Sequence, residues 1–141
     1  MNSTKRIFIL LAIALIALSS MSFAAAMQIY GGAFSTNGGL DDLTYASVDV
    51  GREYGGDSVI IQIWYSRDGS ILNNGNLVPI TVTHDGYANV RSADAYSLFP
   101  DHAKVNIYNT NHNLLASKEV YLSPSAGIQT FGYGDYDHSY I

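Results

Sequence analysis

The sequence predicts an all-β protein: an antiparallel β-sandwich of about seven strands, preceded by a cleavable signal helix. Three observations predict it. Apolar and polar residues alternate with period two from Leu43 onward, turn-forming pairs separate the alternating stretches, and no helical period of useful length follows the first 26 residues. Strands at a spacing of roughly 8–12 residues are the mark of a sandwich or barrel.

The clearest strand runs over residues 58–66. One of its faces collects Val59, Ile61, Ile63 and Tyr65, and the other carries Ile60, Gln62 and Trp64. It reads as a central strand, with Trp64 expected in the core under a crossover segment or the second sheet. Residues 77–83 alternate Val78, Ile80 and Val82 against Thr81 and Thr83. Residues 104–109 set Val105 and Ile107 opposite Asn106 and Tyr108, and 117–123 set Val120 and Leu122 opposite Glu119 and Tyr121. Weaker alternation marks 43–50, 87–91 and 128–133, and 92–98 reads as a short helical turn.

Turn chemistry falls between these stretches. Asp68-Gly69, Asn74-Gly75 and Asp85-Gly86 tolerate the positive φ angles that tight connections demand. Asn109, Asn111 and Asn113 cluster between two strands, and Pro124 opens another link. Pro79 has no amide hydrogen to give a ladder, which places its strand at an edge or bulge.

Trp64 in a central strand, the turn Thr83-His84-Asp85-Gly86-Tyr87, and Leu98-Phe99-Pro100 leading into Val105-Asn106-Ile107 resemble the immunoglobulin-like and fibronectin-like modules of secreted prokaryotic surface proteins. The resemblance covers residues 43–132 and implies an immunoglobulin-like sandwich. No inter-sheet disulfide can form, and Lys104 stands where fibronectin-like modules place a tyrosine. A fold of this kind does not itself name a function.

The ends differ from this body. Residues 1–26 carry Lys5 and Arg6, an apolar run from Ile7 to Leu18, and Ala24-Ala25-Ala26, the pattern of a secretory signal cut after Ala26. The expected location is therefore secreted or cell surface, with membrane contact only through the signal segment if it is uncleaved. Residues 27–42 are glycine-rich, with an alternating piece at 28–34 that suits an edge strand or one donated to a neighbour. Residues 133–141 form a tail rich in tyrosine and aspartate.

Beyond the signal, 5 basic and 12 acidic residues leave a net charge of −7, so nucleic acid is not an expected partner. The absence of cysteine excludes thiolate metal sites, disulfides and a cysteine nucleophile. No cofactor is expected.

Few constellations carry chemistry. Gly56-Asp57-Ser58 with Asp135…His138 imitates blocks of serine hydrolases, but this serine precedes its strand where the chemistry needs it at the strand's end. Asn109, Asn111 and Asn113 imitate a calcium loop without its glycine or bidentate glutamate, and read as turn residues. Asp135, Asp137 and His138, helped by Asp41 and Asp42, are weak metal candidates in a tail more suited to solvation. His84, His102 and His112 read as loop residues. A glycosidase pair would need Asp49 or Glu53 to meet Asp94 from a separate loop.

Tyrosine is the compositional oddity, at 11 residues. Tyr108 and Tyr121 fall on polar strand faces, and Tyr133, Tyr136 and Tyr140 lie in the tail. Exposed tyrosine gives large contact area at low entropic cost. These five are the expected binding residues of a non-catalytic envelope module. Its expected partner is an extracellular protein, a wall or glycan polymer, or another copy of the chain. Two other readings follow from the same residues: a fibre or sheath subunit built by strand donation, and a small secreted hydrolase using loop carboxylates.

Overall fold

The computed structural model describes residues 26–35, 43–93 and 99–141. The signal segment up to residue 25, Asp41, Asp42 and Asp94 lie outside them, as does most of the expected helical turn, whose residues 92 and 93 are strand. The described residues form nine strands: β1 (Gly31–Ser35), β2 (Leu43–Asp49), β3 (Ser58–Arg67), β4 (Ser70–Ile71), β5 (Val78–Thr81), β6 (Tyr87–Ala93), β7 (His102–Tyr108), β8 (Leu114–Tyr121) and β9 (Ile128–Gly132). One sheet has the order β6-β2-β1-β9. The other runs β4-β3-β7-β8, with β5 sharing the edge of β3 that β4 occupies. Every pairing is antiparallel. The protein is a β-sandwich.

Period two places the core. Val59, Ile61, Ile63 and Tyr65 of β3 point inward with Ala103, Val105 and Ile107 of β7. From the other sheet come Phe34, Ala46, Val48, Ala88 and Val90, all in the same buried cluster. Phe34 meets Tyr65 edge to face at 6.0 Å, joining the two sheets at their centre. Burying each such side chain contributes roughly 1.5–3 kcal/mol relative to exposure.

The turns follow their sequence chemistry. Asp68 and Gly69 both have positive φ, 50° and 82°, and close the two-residue hairpin between Arg67 and Ser70. Asn109 Oδ1 accepts from the amides of Asn111 and Asn113 at 2.9 and 3.0 Å, so this oxygen holds a turn. Pro79 sits in β5, whose one strand partner among the described residues is β3.

Three features depart from the sequence expectation. The glycine-rich strand is not at an edge: β1 lies between β2 and β9, five residue pairs with each. Trp64 is only half-buried, because it points away from the core; the loop after β4 covers it at Gly75. The tail is anchored to the first sheet at several points, although Tyr133, Asp135, His138 and Ser139 stay exposed. Tyr133 and Gly134 donate to Tyr30 O, Asp137 N donates to Ser47 Oγ at 2.9 Å, and Tyr140 meets Tyr45 edge to face at 5.9 Å. Small residues permit this: a side chain on Gly31 would begin 2.6 Å from the amide nitrogen of Gly134.

Candidate functional site

The outer face of the second sheet is built by register. Four cross-strand rows run over β3, β7 and β8: Ile60–Tyr108–Leu114, Gln62–Asn106–Ser117, Trp64–Lys104–Glu119 and Ser66–His102–Tyr121. Directly opposed residues on one face lie within side-chain reach, so each row acts as a unit. This face brings together two of the five expected binding tyrosines, one at each end of β7.

Its middle is a fixed polar network. Asn106 Nδ2 and Tyr108 Oη both donate to Gln62 Oε1 at 3.1 Å, and Gln62 Nε2 donates to Gly75 O at 2.8 Å. Ser117 Oγ donates to Asn106 Oδ1 at 2.8 Å. The network holds the Tyr108 ring and the amides in fixed positions. Beside it Gly75 packs on the indole of Trp64, with room for no side chain: a Cβ there would lie within 2.6 Å of three indole carbons.

The far row is more open. His102 Nδ1 lies 3.3 Å from Ser66 Oγ, and its ring meets Tyr121 at 5.4 Å and 62°. Tyr121 is 84% exposed. These side chains, with Asp101 and Leu122, line a shallow groove of about 450 Å³. His102 is thus part of a strand face and not a loop residue as expected.

The other three tyrosines lie elsewhere. Tyr133 is 85% exposed and stands 6.1 Å from Tyr30, on the rim of a separate groove that also contains Asp135. Tyr136 lies tilted at 44° against His138 with ring centres 4.0 Å apart, and Tyr140 is half-buried over the first sheet. Burial raises the Tyr140 hydroxyl above its ordinary pKa despite the nearby Arg91 guanidinium.

The weak metal candidates are put to other uses. The Asp137 carboxylate accepts from Ser139 and from Asn89 Nδ2, and the Ser139 hydroxyl foremost holds it below the usual carboxylate range. Asp135 accepts from the Tyr136 amide and lies 4.0 Å from His138. Among the described residues no group of three histidine or carboxylate side chains is placed to hold a metal ion. Ser58 and Asp135 line different grooves, so the hydrolase-like blocks are not assembled.

Sequence reading alone missed Gln62, Asn106 and His102 as surface partners of Tyr108 and Tyr121. Their outward parity was visible; which strands lay beside which was not. Comparison with family models, with curated proteins and with solved structures gave no match, so the geometry alone assigns these roles.

Proposed function

We propose that this chain is a secreted, non-catalytic, immunoglobulin-like module of the cell envelope that binds a glycan or wall polymer through the outer face of β3, β7 and β8. The immunoglobulin-like assignment draws support from strand order. β1, β2, β6 and β9 share one sheet, β3, β4, β5, β7 and β8 the other, and the chain crosses between sheets after β2, β5, β6 and β8.

One observation carries the binding reading: aromatic side chains occupy three of four adjacent rows, around amides already fixed in position. Sugar rings present apolar faces that stack on aromatic rings and hydroxyls that exchange hydrogen bonds with amides, Lys104 and Glu119. A broad face with one shallow groove suits a polymer better than a small molecule, which would be enclosed.

Assembly has less support. β1 is paired on both sides within its own sheet, which gives no support to its donation to a neighbour. The open edge of β8 carries Lys118 opposite inward-facing Val105, yet exposed to solvent, a device that discourages edge-to-edge pairing.

The test is co-sedimentation of the purified chain with insoluble polysaccharides, among them peptidoglycan, chitin and cellulose. At least one should retain it, and Tyr121→Ala should weaken retention about tenfold, equivalent to about 1.4 kcal/mol. Retention by none, or retention indifferent to both Tyr121→Ala and Lys104→Ala, would overturn the proposal.

A further inference from the structure

We propose that a second groove, at the margin of the first sheet, docks a lysine- or arginine-bearing segment of another extracellular protein. Its walls are tyrosine: Tyr30 before β1, Tyr87 at the start of β6, and Tyr133 after β9. The groove holds about 470 Å³ and stands open to solvent along the exposed ring of Tyr133. That volume is ample for one or two long cationic side chains and does not enclose them.

Charge selects the occupant. Asp49 at the end of β2, Glu53 in the short turn after it, Asp85 in the turn before β6 and Asp135 in the tail all line this groove. Arg52 is the cation among the lining residues, which leaves three negative charges in excess. The carboxylates of Asp135, Asp49 and Asp85 act together at Tyr87, whose hydroxyl is raised first by burial and then by these three.

Spacing decides what kind of cation fits. No three of these carboxylates converge closely enough to chelate one metal ion. A small divalent ion demands convergent oxygens at short range. Lysine and arginine instead carry their charge at the end of an apolar stem. The stem lies along tyrosine rings while the charge reaches a carboxylate, and the ring faces add cation–π attraction. Tyrosine walls and dispersed carboxylates therefore point to the same occupant.

The folded-back tail completes the site. Tyr133 N and Gly134 N donate to Tyr30 O at 3.1 and 3.3 Å, which sets Tyr133 beside Tyr30 and carries Asp135 into the groove. This groove belongs to the first sheet and the glycan face to the second, so one domain presents two separate attachment surfaces.

Titration calorimetry on the full chain tests the proposal, with a ten-residue peptide alternating glycine and lysine as the probe. A glutamate peptide of the same length and calcium chloride serve as controls. The lysine peptide should bind at low ionic strength and weaken steeply with added salt. Tyr133→Ala and Glu53→Gln should each weaken it about fivefold, corresponding to the modest worth of one exposed cation–π or ionic contact. Tyr121→Ala should leave it unchanged. Binding that ignores both groove variants, binding lost equally in Tyr121→Ala, or displacement of the peptide by calcium at equal concentration would overturn the assignment. So would absence of binding at low salt.

Discussion

The backbone amide of Asp137 donates to the hydroxyl of Ser47, 90 positions earlier in the chain, at 2.9 Å. Ser47 points to the outer face of its sheet, where a serine is ordinarily wet, yet it is fully buried. Ala33 beside it is buried as completely. The tail lies over Ser47, so the last residues of the chain are part of the fold.

Removing the Ser47 hydroxyl leaves the Asp137 amide without its partner in a half-buried setting. Ser47→Ala should cost about 1 kcal/mol, the usual net worth of such a bond. Urea unfolding would measure it. Thr110→Ala, on an exposed turn, should cost less than half as much.

Asp137 makes tail docking sensitive to acid. Its folded pKa is depressed, chiefly by the Ser139 hydroxyl, so its contribution is complete above the ordinary aspartate pKa. It is lost as pH falls through the lower value that the fold imposes. Nuclear Overhauser contacts between Tyr45 and Tyr140 should therefore fade on acidification, and Asp137→Asn should remove most of that dependence. Contacts that strengthen in acid would contradict the sign.

Tyr65 carries a buried hydroxyl into the core. It is fully buried, and among the described residues its hydroxyl has no hydrogen-bond partner; burial raises its pKa far above the ordinary tyrosine value. Tyr65→Phe keeps the ring against Phe34 and discards a desolvated hydroxyl. The melting temperature should hold or rise, because an unsatisfied buried group costs about 1–3 kcal/mol. A clear fall would reveal a partner for the hydroxyl.

Trp64 and Gly75 should behave as a pair. A methyl on Gly75 would lie 2.4 Å from Trp64 Cε2, at a φ of +58° that already disfavours a side chain. Gly75→Ala should cost about 1–2 kcal/mol and alter the tryptophan emission. Trp64→Ala should cost roughly 1–2 kcal/mol, less than the 3–5 kcal/mol typical of a fully buried aromatic such as Phe34.

Most strands were legible because period two survives burial: the inward set Val59, Ile61, Ile63 and Tyr65 is the alternation read from the sequence. β4 was not legible, since two residues carry no period. The place of β1 was hidden for a different reason. Glycines weaken a strand in isolation, yet here Gly31 and Gly32 let the tail and β2 approach where a side chain would collide. The site was half legible. Parity put Tyr108 and Tyr121 outside, but only the register of β7 against β3 and β8 joins them to Gln62, Asn106 and His102. Nothing local to the tail reveals that Ser47 and Asn89 hold Asp137.

The central claim is that the outer face of β3, β7 and β8 is a ligand surface. Amide and aromatic chemical-shift mapping with soluble fragments of whichever polysaccharide retains the chain tests it most directly. Shifts should concentrate on Lys104, Asn106, Tyr108, Ser117 and Tyr121, with β1, β2 and β6 silent. Shifts confined to the first sheet, or scattered over the molecule without saturation, would contradict it.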